Sequence, residues 1–293
     1  MILVAGATGV VGREVVRQLV ARGEKVRALV RRRDPALGDG VEVAVGDLGH
    51  PRALEVAMSG VDAVFALTGG GPETPLHDAN LVVAAAGAGV RHVVKLSIIG
   101  AEYGFDDLVS TWHLAGERVV RQVGARPGGP TWTFLRPGEF GSNARLWAGP
   151  VAASDTVFWA QVEPRVAVID PRDVAELAVL ALTTPGHEGR TYRISGPEAL
   201  SVAERVDRLA AQLGRPLRLV DVPVADVVGA AARAGRQPLV VETTLGNLGR
   251  PEFQEVAARV LPTFEQLVGR PPRTFDDWVA DHLDTFRPHP RPQ

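Results

Sequence analysis

Three glycines spaced three apart, Gly6, Gly9 and Gly12 in the stretch GATGVVG, follow the apolar run Ile2 to Ala5 and precede Val11, Val15, Val16, Leu19 and Val20 at helical spacing. A glycine turn between a strand and a helix gathers backbone N–H groups and the positive helix end at one point with no Cβ in the way, and a pyrophosphate fits there. Gly9 admits close approach of the phosphate, and Gly12 lets the helix pack on the strand; the bland alternative is a tight turn of any α/β protein. Arg31, Arg32 and Arg33 end the next apolar run, KVRALV. Where an acid would accept the ribose hydroxyls of NAD, Arg31 and Arg32 pair instead with a 2′-phosphate, so the expected cofactor is NADPH/NADP; otherwise they are a solvated basic run. Asp47 in VGDL is placed to accept from an adenine amino group. Thr68, Gly69, Gly70 and Gly71 leave room for the cofactor's backbone or form a flexible loop.

These residues need a scaffold that brings strand ends together. Ile2–Ala5, KVRALV, VEVAVGD, DAVFAL, VRHVVKLS and TWTFLRP read as six strands, separated by helix-length segments except for a loop between the second and third, and TYRIS adds a seventh beside the sixth. One of the helices spans about Trp112 to Gly124, and VAELAVLAL, started by Pro171 and Asp173, is another. The expected fold class is α/β, a Rossmann-type doubly wound parallel sheet with a smaller, mostly helical substrate lobe. The expected division is a dinucleotide-binding domain, 1–137 with 169–195, a substrate-binding lobe, 138–168 with 196–286, and a disordered tail, 287–293. There is no internal repeat.

Composition removes whole classes of function. The formal charge is -2, with 32 basic and 34 acidic residues scattered along the chain, so no field exists to hold a nucleic acid or a membrane surface. The absence of cysteine excludes disulfides, thiolate catalysis and cysteine-ligated metals. His50, His77 and His92 lack the clustering a metal needs, so no metal is expected. No leader and no apolar run of membrane-spanning length is evident, and a cytoplasmic location follows as an expectation.

GATGVVG, VRALVRR, GDL, VVKLSIIGA, the helix HLAGERVV, TFLRPGEF with the following Asn143, and VAVIDPRDVAELA, taken in order, resemble the atypical short-chain dehydrogenase/reductase superfamily, and within it the NmrA-like NAD(P)H-binding proteins. The resemblance reaches about residue 215. It implies a cofactor lying along Gly6, Thr8, Gly9, Val10, Val11 and Gly12, then Arg31 and Arg32, Asp47 and Leu48, Leu67, Thr68 and Gly69, and Leu96. It also places Pro137, Glu139 and Phe140 beside the nicotinamide. The group contains reductases, among them ketoreductases of aromatic polyketide and antibiotic biosynthesis, and redox sensors without turnover.

Conventional members of the superfamily protonate a carbonyl with a Tyr-x-x-x-Lys pair, and this chain departs from them. Its two tyrosines, Tyr103 and Tyr192, are not followed by lysine four residues on; His113 and Glu117 take the pair's positions. Ser97 and His113 are the catalytic candidates, an imidazole being able to donate near neutrality, against the alternative of a half-buried structural histidine. Glu117, four residues on, would tune His113. Lys95 is either a cofactor contact or a snorkelling side chain. Trp147, Phe158 and Trp159 would suit a flat, apolar substrate or simply fill a core. The resulting expectation is an NADPH-dependent reductase of a carbonyl on an aromatic or polyketide-like small molecule. A quinone or imine reductase and a turnover-free sensor are the alternatives, and the oligomeric state is open.

Overall fold

The computed structural model describes residues 1–103 and 105–287, which form two compact units. Met1–Pro137 and Pro171–Ile194 make the first; Gly138–Asp170 and the described part of Ser195–Gln293 make the second. In chain order the first unit lays down β1 (Ile2–Ala5), α1 (Val10–Ala21), β2 (Val26–Val30), β3 (Val41–Val45), α2 (Pro51–Ala57), β4 (Ala63–Ala66), α3 (Thr74–Gly87), β5 (His92–Leu96), α4 (Gly100–Tyr103), α5 (Leu108–Gly124) and β6 (Thr131–Pro137). The second unit then contributes α6 (Ala148–Ser154) and β7 (Thr156–Trp159), the first adds α7 (Pro171–Thr183) and β8 (Arg190–Ile194), and the rest belongs to the second. That remainder is α8 (Val202–Leu213), β9 (Arg218–Asp221), α9 (Val224–Arg233), α10 (Pro238–Leu248), α11 (Pro251–Ala257), α12 (Thr263–Val268) and α13 (Phe275–His282).

The first unit is a seven-stranded sheet in the order β3-β2-β1-β4-β5-β6-β8, every pairing parallel. It is the doubly wound α/β fold expected from the alternation of strands and helices. Strands β1 and β4 are buried at every residue, which is why they read as unbroken apolar runs: a parallel sheet is covered on both faces. Because all strands run the same way, their C-terminal ends share one edge, and the order reverses between β1 and β4, where such sheets open a crevice.

Helices α3 and α5 cover one face through Leu81, Val82, Ala85, Val120 and Val123, packed on Leu3, Val64, Val93 and Phe134. Helix α5 begins at Leu108, four residues before the point its periodicity suggests, because Asp107 caps it by accepting from the Ser110 N–H at 2.8 Å. It is pinned to β6 by charge. Arg136 donates to both oxygens of the fully buried Glu117, at 2.8 and 2.6 Å, and to Glu102 of α4; Arg121 adds a contact of 3.3 Å to Glu117.

The second unit has its own core, in which Trp147 and Trp159 meet edge to face at 5.9 Å and Phe275, Trp278 and Phe286 close around them. The two tryptophans are core residues, whereas Phe158 is 46% exposed. A parallel pair, β7 with β9, adds a small sheet to a region whose sequence reads as mostly helical. Each strand is four residues long, too short for its alternation to stand out from the flanking helices. Of the tail expected at 287–293, Arg287 is described and pairs with Asp284 at 2.8 Å; residues 288–293 lie outside the described residues. Among the described residues no helix is long and apolar enough to cross a membrane.

Removing one partner of a buried ion pair leaves the other charge uncompensated. Glu117→Ala is therefore expected to lower unfolding free energy by about 3 kcal/mol in urea titration, and Leu114→Ala, one turn away and half-buried, by less.

Candidate functional site

The shared edge of the sheet collects most of the residues singled out from the sequence. At the end of β1, Gly6 takes φ +70°, the Gly9 N–H donates to the Gly6 carbonyl at 2.9 Å, and Gly9 caps α1 with no side-chain bond to its first-turn N–H groups. Those groups are therefore free to face a phosphate. A Cβ on Gly12 would lie 2.0 Å from the Gly6 carbonyl oxygen, and one on Gly6 would lie 2.7 Å from the carbonyl of Leu67 at the end of β4. Only glycines permit this closeness of loop, helix and neighbouring strand end. Thr8 is exposed on the loop and Val11 is buried beneath it, with Val10 between the two extremes.

Beside the loop, Arg31, Arg32 and Arg33 at the end of β2 are exposed and, with Thr8, Val30, Asp34 and Pro35, line a cavity of about 560 Å³. Two of its lining residues are tied together by Arg13, which donates to the Thr8 carbonyl at 3.0 Å and to Asp34 at 2.5 Å, while Asp34 also caps the turn at Pro35. Neither Arg13 nor Asp34 stands out in the sequence; an arginine directly after the last glycine of the loop was the available signal. At the end of β3, the Gly49 N–H, 2.7 Å from Asp47, holds that carboxyl below the usual carboxylate range, seconded by the charges of His50, His77 and Arg31. Leu48 is half-buried, and its carbonyl accepts from Asn80 at 2.9 Å. A glycine cradle next to a cavity walled by three arginines fits a dinucleotide that carries a 2′-phosphate.

Farther along the edge, Thr68 follows β4 with its hydroxyl donating to Asp78 of α3 at 2.8 Å, and Gly69 takes φ +116°. Leu96 closes β5, and the Ser97 N–H donates to the Leu135 carbonyl of β6 at 2.7 Å. The side chains next to this point are polar and sealed: Ser97 Oγ, Ser110 Oγ and His113 Nδ1 are buried without a hydrogen-bond partner among the described residues. Burial, seconded by the charge of Lys95, pushes the His113 imidazole down to about 3. His113 is thus a neutral ring at physiological pH, one N–H donor and one acceptor, and holds no imidazolium proton to give away.

Two sequence readings change here. Lys95 neither snorkels nor reaches a solvent-facing cofactor cleft; it is fully buried and paired with Asp78 at 2.7 Å. Glu117 does not tune His113, because Arg136 engages both of its oxygens. Asp78 was missed, although a lysine in the apolar strand VVKLS demands an acid on a covering helix. Pro137 ends β6 in the first unit, whereas Glu139 and Phe140 belong to the second. There Glu139 accepts from the buried Arg205 at 3.0 Å, and Phe140 bridges to Ile169. His77 Nδ1 lies 3.3 Å from the Thr68 carbonyl and His92 sits between Thr131 and Thr133; among the described residues no group of three or more metal-ligating side chains converges.

Comparison with known proteins matches residues 6–185 to a family model described as NAD(P)H-binding. The chain is 44% identical over 291 residues to a (4-alkanoyl-5-oxo-2,5-dihydrofuran-3-yl)methyl phosphate reductase of Streptomyces griseus, covering 98% of this chain and 100% of that protein. It is 36% identical to an NAD(P)H azoreductase of Xenophilus azovorans, covering 98% and 99%. Among solved structures, the NADPH-dependent quinone oxidoreductase QOR2 of Escherichia coli, complexed with NADPH, superposes with a TM-score of 0.80 at 23% identity, covering 97% and 100%, a likeness of fold.

The cavity and the buried histidine each make an expectation. Arg31→Ala should weaken NADPH by about tenfold or more, the worth of one charge-assisted bond, with NADH little changed; fluorescence titration with both cofactors checks this. His113 is depressed from 6.5 to about 3, so below its ordinary value the unfolded chain takes up a proton that the folded chain refuses. Its contribution to stability is complete above 6.5 and falls away with a steady slope as pH drops toward about 3. Denaturant titrations from neutral to acid pH should show that slope in the wild type and lose it in His113→Phe.

Proposed function

We propose, from the premise that the chain belongs to the NAD(P)H-binding family and is an NAD(P)H-dependent oxidoreductase, that it reduces small molecules in which the hydride-accepting atom is conjugated to an electron-withdrawing group. The observation that carries this reading is the missing proton donor. Where a tyrosine and lysine would stand, the chain has a neutral, buried His113 and a Glu117 locked to Arg136.

Hydride addition to an isolated ketone leaves an alkoxide, which needs a proton during the step. Addition to a quinone, an azo bond or a doubly activated ring alkene leaves a delocalised anion instead. A hydrogen bond stabilises that anion sufficiently, and water supplies the proton afterwards. When bound, the nicotinamide supplies the hydride. The protein's own part is to hold the phosphates on the Gly6–Gly12 loop, to read the 2′-phosphate with Arg31 and Arg32, and to offer donors from Ser97 and His113 at the acceptor.

The relatives support the class. A dihydrofuran with 4-alkanoyl and 5-oxo groups, an azo compound and a quinone are all conjugated acceptors, and the first of these sits in the name of a protein 44% identical to this one. A role in a biosynthetic pathway draws support from that Streptomyces relative. A ketone on an aromatic or polyketide-like molecule stays within reach where the ring system itself spreads the charge. The second unit, with Glu139 and Phe140 at its start, is proposed as the part that holds the substrate.

The test mixes enzyme and NADPH with a naphthoquinone, an azo dye, a 4-acyl-dihydrofuranone methyl phosphate and an unconjugated aliphatic ketone, following loss of the nicotinamide absorbance. One or more conjugated acceptors should turn over, with the simple ketone slower by about 10³-fold, within the range a general acid contributes. Equal rates for ketone and conjugated acceptors would overturn the proposal. His113→Phe should cost about tenfold in kcat, the worth of one hydrogen bond.

A further inference from the structure

The cavity at the end of β2 contains a carboxylate that a phosphate pocket does not call for. Asp34 lines it together with Arg31, Arg32 and Arg33. A carboxylate after the second strand is the group that takes the ribose hydroxyls of NAD; beside a 2′-phosphate it repels the phosphate and competes with it for the arginines. In this chain that carboxylate is already engaged. Asp34 Oδ2 lies 2.5 Å from the Arg13 guanidinium, and Oδ1 accepts from the Ala36 N–H at 3.0 Å. Arg13 is held a second time, its Nε donating to the Thr8 carbonyl at 3.0 Å. Among the described residues Arg31, Arg32 and Arg33 have no ion-pair partner. The Arg13 and Asp34 side chains are 41% and 24% exposed, and a pair as open as this adds little to stability, so stability does not account for it.

We propose that Arg13 is a specificity-determining residue for the cofactor: from α1 it takes up the Asp34 carboxylate and so leaves Arg31, Arg32 and Arg33 to the 2′-phosphate of NADPH. The inference rests on the reading of this cavity as the 2′-phosphate pocket. With Arg13 in place, the cavity presents three unengaged guanidinium groups and a carboxylate already answered. Without it, Asp34 turns to an arginine of the run or to the ribose hydroxyls, and either result favours NADH over NADPH. Arg13 directly follows Gly12 and holds the carbonyl of Thr8, so the carboxylate is taken up from the same loop and helix that face the pyrophosphate.

The closing experiment measures Kd for NADPH and for NADH by nicotinamide fluorescence in the wild type, Arg13→Met, Asp34→Asn and the double variant. Asparagine retains a side-chain acceptor for the Ala36 N–H, so the cap survives while the charge goes. The wild type should prefer NADPH. Arg13→Met should weaken NADPH by about tenfold or more, the worth of a charge-assisted bond, and leave NADH equal or tighter. Adding Asp34→Asn to Arg13→Met should return NADPH to within about threefold of the wild type, because the carboxylate that needed an answer is gone. Arg13→Lys, which keeps a cation beside Asp34, should retain most of the preference.

Equal losses of both cofactors in Arg13→Met, or a double variant that binds NADPH no better than Arg13→Met does, would overturn the proposal and leave Arg13 a fastener of the glycine loop through Thr8. Asp34→Asn alone decides the matter if Arg13→Met does not fold. It frees the Arg13 guanidinium beside the cavity, so the preference for NADPH should hold or rise, and a fall in that preference would count against the proposal. Equal affinity of the wild type for the two cofactors would sink the 2′-phosphate reading and the proposal with it. A wild-type preference that Arg13→Met leaves intact would remove the role of Arg13 alone.

Discussion

A carboxylate sealed from water costs several kcal/mol unless a cation and hydrogen bonds answer it, and the layer formed by α3 and α5 contains two of them. Asp78 is answered by Lys95 and Thr68, and Glu117 by Arg136. Each answering cation comes from a strand, so the two helices are located on the sheet by charge as well as by the apolar contacts that drive their burial. The spacing is unforgiving. Gly116 lies between the two arrangements in sequence, adjoining Glu117 and pressed onto Asp78, where a single Cβ would collide.

One consequence is chemical. Placing glutamate where a lysine would complete a proton-donating pair reverses the charge at that point of α5, and Arg136 then engages the carboxylate and removes it from the reaction. The remaining cation near His113 is Lys95, across the interface in β5. With burial and a neighbouring positive charge acting together, the imidazole stays neutral. An edge that offers hydrogen bonds without a ready proton suits acceptors that can hold the arriving charge themselves, which is the physical basis of the substrate class proposed above.

The sequence exposed the features that follow from period and local stereochemistry. The seven strands and the glycine loop were legible because buried parallel strands are continuous apolar runs, and because glycine at Gly6 and Gly12 meets a requirement that no other residue meets. The start of α5 was four residues off because Asp107, a cap made by one side chain, leaves no periodic trace. The pairing of β7 with β9 was hidden because their contact joins segments 62 residues apart in register, Thr156 with Arg218. The state of Lys95 was hidden for a similar reason: a charge in an apolar strand says that an acid covers it, but which acid depends on how α3 packs. Trp147 and Trp159 look alike on the page as core or as substrate platform, and packing alone decides for the core.

The two ends of the site work by different physics. Arg31, Arg32 and Arg33 are exposed around an open cavity, where a phosphate would interact with them in high dielectric and through mobile ions, so that an interaction of this kind weakens as salt rises and the Debye length falls below about 8 Å. Ser97, His113 and Lys95 lie sealed behind β5 and α5, where salt does not screen and hydrogen bonds act at low dielectric. Discrimination between the two cofactors, if Arg31 and Arg32 make it, is accordingly a solution-dependent property of the β2 end. Stabilisation of an acceptor's charge, on the proposed reading, would be a fixed property of the β5 end. If the proposed assignments hold, added salt acts on the first and leaves the second in place, and cofactor choice and chemistry then respond independently to the medium.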